Sequence, residues 1–172
     1  DQNNAIIYAD TDDKGLQKQA NIYFMTLAKK VCGWLNEAGY SYCKGEVMAQ
    51  NPSWCQPLSK WIGYFNGWIN NSSPQDMLEI NIFFDFRCAW GEQKLVDDLR
   101  QHIHQMLHHQ PQFTHHLADN ALNYKPPIGL FGNIVTESVG KHPETFNIKS
   151  AMMPLVNIAR AYALKNGVFE TG

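Results

Sequence analysis

The 172-residue chain is 44% hydrophobic and 17% charged, long enough to bury a core as one domain or two small ones. Its formal net charge of -2 excludes a global basic field that would draw in DNA or an acidic membrane surface. No apolar run approaches the roughly 20 residues that a membrane-spanning helix needs. The start is polar and acidic, so no signal peptide is legible, and the absence of Met at position 1 makes a piece of a longer protein the expectation. Four cysteines (Cys32, Cys43, Cys55 and Cys88) form no CxxC pair. They read as small core residues of a reduced, cytoplasmic protein.

Residues 3–9, NNAIIYA, predict a short strand. Period-2 alternation then puts Asp1, Asn3, Ala5 and Ile7 on one face and Asn4, Ile6 and Tyr8 on the other. After the polar turn DTDDKG comes a long helix over 16–38, with Leu16, Ala20, Tyr23, Leu27, Val31, Trp34 and Leu35 at helical spacing. Gly39 stands where a C-terminal cap belongs. YSYCKGEVMAQNPSWCQP is loop-rich with one short strand, and Pro57 opens a second helix over 58–69. After the break NNSSP, MLEINIFFDFR predicts the central strand, apolar on both faces as covered strands are. Helices are expected over 92–109 and 111–124, then a stiff loop, YKPPIGLFGN. A last helix over 151–166 would have Ser150 as N-cap, Pro154 in its first turn and Gly167 as its stop. The first half alternates strand and helix and the second is helical. The expected fold class is therefore α/β (α+β), with domains at 1–90 and 91–172.

Asp85 is the odd residue of the expected central strand, between Phe84 and Phe86. An ionised carboxylate there needs a partner, either Arg87 two residues along or a divalent metal. Asp10, Asp12 and Asp13 read as a solvated turn. Lys44 and Gly45 lie in a loop where a lysine can meet a phosphate and a glycine lets a ligand approach the backbone. Trp54 and Trp61 read as core aromatics before base-stacking platforms. His104 and His108 have the i, i+4 spacing of a zinc pair, but no acid or cysteine completes a site nearby, so a solvated helix face is the plainer reading.

Four segments taken in order, DQNNA, YCKGEVMAQNPSW, FFDFR and NIKSAMMPLVNIARAYAL, resemble the nucleotidyltransferase family of bacterial signal-transduction proteins. Members of that family sit downstream of cyclic-nucleotide-binding and CBS modules. They are related to the uridylyltransferases that modify the PII nitrogen regulator. The family pattern has a Gly-Ser turn, then TDQDNA, YCKGGVMASNPxW and FFDFR. The resemblance runs from residue 1 to about 167. It implies a polymerase-β-type fold with a mixed sheet and covering helices, followed by a helical substrate-binding domain. It also implies Mg²⁺ held by Asp1, Asn3 and Asp85, with Asp1 and Asp85 as the catalytic carboxylates. Hard oxygen ligands suit that ion, which also takes nucleotide phosphate oxygens. Asn3 stands where the pattern has Asp; it offers one carbonyl oxygen and no charge. The Gly-Ser turn that cradles a triphosphate would lie ahead of Asp1, so these residues alone are expected to be inactive. Lys44, Gly45, Lys149 and Arg160 are the implied nucleotide- or substrate-binding residues, with Arg160 readable equally as an internal salt-bridge partner. The implied chemistry is transfer of a nucleoside monophosphate from a nucleoside triphosphate to an acceptor, a protein side chain among the candidates. The implied partners are upstream regulatory domains. A nucleotide-binding regulatory module without turnover and a structural homodimerisation domain are the alternatives.

Overall fold

A computed structural model describes residues 1–71, 83–122, 128–129, 134, 136 and 148–168. Among them are two strands and five α-helices: β1 (Ile6–Tyr8), α1 (Lys14–Glu37), β2 (Cys55–Pro57), α2 (Leu58–Asn71), α3 (Gln93–His109), α4 (Pro111–Leu122) and α5 (Ile148–Lys165). A single 3₁₀ turn, Pro52–Trp54, leads into β2. The fold class is α+β with a helical C-terminal region. No helix of the described residues is long and apolar enough to cross a membrane. The chain divides into two compact units, one of Asp1–Phe65 with Cys88–His102 and one of Asn66–Arg87 with Ile103–Gly172.

The first unit is built on a parallel pair, Ile6 opposite Cys55 and Tyr8 opposite Pro57. Parallel strands need a long crossover, and α1 supplies it. Asp13 starts that helix, its carboxylate accepting from the backbone N–H of Gly15 at 2.7 Å and Leu16 at 3.1 Å. Gly39, at φ 100°, ends it; the N–H of Tyr40 reaches back to the carbonyl of Leu35 at 2.9 Å. Asp10 accepts from the Ser59 N–H at 2.9 Å and from its hydroxyl, in the first turn of α2. The acidic turn is therefore exposed as expected, yet two of its three carboxylates cap helices.

The core of this unit is Ala28, Cys32, Met48 and Ala49, with Ile6 and Cys43 against it. The expected α1 stripe is corrected here. Leu16, Tyr23 and Trp34 are exposed, and the buried residues are the small Ala28 and Cys32. Small side chains let α1 approach the backbone of residues 48–49, so the contact face is not the face with the largest apolar residues. Tyr8 stacks on Phe24, ring centroids 4.8 Å apart. Trp61 is buried, packs beside Trp54 and Tyr64, and donates its indole N–H to the Ile6 carbonyl at 3.1 Å. Trp61 is thus a core aromatic, and Trp54 lies half-buried beside it.

In the second unit Ile69, Ile103, Leu107, Phe113, Leu117, Ala161 and Leu164 are buried. The central strand expected over 77–87 is not there in its described part. Phe83 is helical and Phe84–Asp85 form a turn, while residues 77–82 lie outside the described residues. Phe83 stacks on Trp68 at 5.7 Å and Phe84 packs on Phe113 at 6.1 Å. Two consecutive residues thus face the same core, which a strand's alternation forbids. The last helix starts at Ile148 rather than 151, so Ser150 lies within it and Pro154 is interior rather than in the first turn. Gly167, at φ 65°, closes it as expected, with the Val168 N–H on the Ala163 carbonyl at 2.9 Å.

Candidate functional site

The opening segment runs beside the loop that carries Lys44 and Gly45. The Gln2 N–H donates to the Ser41 carbonyl at 2.9 Å and the Asn4 N–H to the Val47 carbonyl at 3.2 Å. Backbone bonds at alternate residues fix an extended run, and the amide side chains of those same residues turn inward. Gln2 is 5% exposed and donates its side-chain amide to the carbonyls of Cys32 and Tyr40, both at 3.1 Å. Asn4 donates to the Gln2 side-chain oxygen at 3.1 Å. It accepts from the Ala49 N–H at 2.9 Å and the Cys32 thiol at 3.4 Å. Asp1 and Asn3 alternate with this pair and are exposed. The regular strand is shorter than expected, Ile6–Tyr8 rather than 3–9, but the alternation holds back to Asp1.

The loop is anchored on one side by buried Val47, Met48 and Ala49 and leaves Lys44, Gly45 and Glu46 exposed. The Glu46 N–H donates to the Cys43 carbonyl at 3.1 Å, closing a tight turn over Lys44 and Gly45. Glu46 occupies the left-handed region at φ 55°. Asn51 braces the loop, its side-chain N–H on the Glu46 carbonyl at 3.2 Å and its oxygen accepting from the Ser53 N–H at 3.0 Å. A Cβ on Gly45 would meet nothing nearer than 3.8 Å, so the fold itself does not demand glycine there. Cys55, fully buried in β2, has its thiol pKa pushed up to about 11 by desolvation.

Asp85 lies in the second unit and its side chain is 55% exposed, not buried in a strand as expected. Its partner is Arg160 of α5, not Arg87 two residues along. The Arg160 Nε donates to the Asp85 carboxylate at 3.1 Å and a second guanidinium nitrogen contacts the same oxygen. A third, Nη1, donates to the Asn157 side-chain oxygen at 3.1 Å. The FFDFR and NIAR segments, remote in sequence, are therefore joined through one guanidinium. Asn157 is 4% exposed, and its side-chain N–H finds no partner among the described residues. Lys149, expected ahead of the last helix, falls in the first turn of α5; its side chain lies outside the described residues. Among the described residues no group of three or more His, Cys, Asp or Glu stands close enough to hold a metal ion.

Three polar residues went unremarked in the sequence: Gln2, Asn4 and Asn157. The signal was present for two of them. A buried polar side chain in an extended run must find partners, and Gln2 and Asn4 alternate with the residues singled out for function.

The described residues define an α+β protein whose β–α–β unit carries an exposed polar edge, with a helical region following. Residues 1–75 match the family described as "Putative nucleotidyltransferase DUF294", and residues 111–172 match "Putative nucleotidyltransferase substrate binding domain". The chain belongs to this nucleotidyltransferase family. No curated protein and no solved structure gives a significant match.

Proposed function

We propose that the chain carries nucleotidyltransferase-domain residues of a Mg²⁺-dependent, cytoplasmic signal-transduction protein, followed by a substrate-binding region. The reaction is transfer of a nucleoside monophosphate from a nucleoside triphosphate to an acceptor, with a protein side chain as the favoured class. The observation that carries this reading is the exposed Asp1–Asn3 edge beside the Lys44–Gly45 turn, within the residues that match the nucleotidyltransferase family.

The donor chemistry fits the ion. Asp1 and Asn3 offer hard oxygens outward from one extended segment. The resemblance also names Asp85, an exposed carboxylate of the second unit that is paired with Arg160. When bound, Mg²⁺ neutralises phosphate charge and helps align the displaced group. The chain's own residues hold and orient. Gln2 and Asn4 fix the direction in which Asp1 and Asn3 face, Lys44 offers an ammonium to a phosphate, and Gly45 leaves the turn backbone open to approach.

Asn3 favours a second reading, in which nucleotide binds without turnover and its occupancy is passed to upstream regulatory domains. A neutral amide holds a cation less firmly than a carboxylate and cannot bridge two. Incubation of the full-length protein with Mg²⁺, a nucleoside triphosphate labelled at the α-phosphate, and a cell lysate separates the two. Label on a protein acceptor supports transfer. No label, with Mg²⁺-dependent nucleotide binding by calorimetry, supports the second reading. Absence of both overturns the nucleotide site.

A further inference from the structure

The second unit holds an open cavity of about 530 Å³ formed by α3, α4 and α5, a volume in the range of small-molecule sites. Its polar lining is basic and hydroxylic. His104 and His108 come from α3, Thr114 and His115 from α4, and Tyr162 and Lys165 from α5. No Asp or Glu is among the lining residues. The remaining wall is apolar, with Leu107 and Leu164 buried behind it.

The two α3 histidines touch. Their Nε2 atoms are 3.0 Å apart and their rings meet edge to face at 4.4 Å. Such a contact needs one ring N–H to donate and the other ring nitrogen to accept. One N–H therefore lies in the contact between the two rings. The end of α5 presses on His104: a Cβ at Gly167 would stand 2.5 Å from its Cε1. With φ at 65°, glycine is suited to this position twice over. The imidazole is thus held in place by the same residue that terminates α5.

Two imidazole nitrogens at this spacing also suit a metal ion. Two observations argue against it. No third His, Cys, Asp or Glu completes a cluster among the described residues, and the ammonium of Lys165 lines the same cavity and repels a cation. Three imidazoles, an ammonium and two hydroxyls above an apolar floor suit an anion attached to an apolar body.

We infer that this cavity is a binding site for a phosphate monoester carried on an apolar or aromatic group. Lys165 and the paired His104 and His108 donate to the phosphate oxygens, while the apolar wall takes the organic part. Charge-assisted hydrogen bonds to phosphate are the strong class. A phosphate oxygen can replace the accepting ring as the partner of the N–H in the histidine contact. Thr114, His115 and the Tyr162 hydroxyl are the other polar groups on the cavity. This inference stands apart from the Asp1–Asn3 edge and does not depend on nucleotidyl transfer.

The test is calorimetric titration of the full chain with phenyl phosphate, phenol and Zn²⁺ separately. Phenyl phosphate should bind and phenol should not. Lys165→Gln should weaken binding about tenfold and Lys165→Arg should retain it. His108→Gln, at an exposed position, should weaken binding about threefold. Circular dichroism spectra matching the parent chain would show that the variants fold. Equal binding of phenol, an unchanged affinity in folded Lys165→Gln, or binding of Zn²⁺ without binding of phenyl phosphate would overturn the site.

Discussion

Replacing Gln2 by Ala should destabilise the first unit far more than the same change one residue along. Gln2 is buried and makes three side-chain hydrogen bonds, two donated to the Cys32 and Tyr40 carbonyls and one accepted from Asn4. Each bond contributes a net of about 1 kcal/mol, and the Asn4 amide would be left part-buried without its acceptor, so Gln2→Ala should cost about 3 kcal/mol. Asn3 is exposed. Asn3→Ala should stay within about 0.5 kcal/mol of the parent, as surface changes away from special features do. Urea unfolding followed by tryptophan fluorescence reads both, since Trp54 and Trp61 belong to this unit. The comparison bears on function because the inward turn of Gln2 and Asn4 is what leaves Asp1 and Asn3 facing outward. Equal losses at positions 2 and 3 would refute the alternation and remove the physical basis for a polar edge at Asp1 and Asn3.

Glu46→Gly should stabilise the chain by about 0.5–1 kcal/mol. A side chain at φ 55° costs roughly 1–2 kcal/mol, and the added freedom of glycine in the unfolded chain returns part of that; a loss of stability in urea would contradict it. Asn3→Asp should tighten Mg²⁺ binding by roughly tenfold, because it adds a charged oxygen ligand to an exposed edge; an unchanged calorimetric affinity would count against a metal there. Stability should fall as pH rises from 9.0 towards 11. The buried Cys55 thiol keeps its proton up to about 11, whereas an ordinary thiol near 9.0 releases its proton once the chain unfolds. Cys55→Ala should flatten that alkaline slope in urea titrations at stepped pH.

The legible parts of the fold were those where local chemistry and tertiary packing agree. Gly39 and Gly167 were readable as helix stops because each sits at positive φ, where other side chains are strained. The four motif segments were readable because they stand in one order; three of them fall within the matches to residues 1–75 and 111–172, and FFDFR lies between those matches. The FFDFR segment misled because aromatic residues on both faces satisfy a covered strand and a buried helical turn equally. Phe83 and Phe84 found Trp68 and Phe113, partners that no local pattern names. The α1 stripe misled because close helix packing selected small residues, Ala28 and Cys32, over large ones. The shared, exposed face of Asp1 and Asn3 followed from alternation, while their assignment as ligands came from the resemblance. The choice of Arg160 over Arg87 as the partner of Asp85 did not, because it depends on where α5 lies.

Nuclear magnetic resonance of the full chain titrated with Mn²⁺ in place of Mg²⁺ tests the proposed site most directly. A paramagnetic ion broadens the signals of the residues nearest to it. Broadening at Asn3 and its neighbours Gln2 and Asn4 early in the titration, reversed by excess Mg²⁺, is the predicted result. Early broadening at His104 and His108, with Asn3 unchanged, would contradict it.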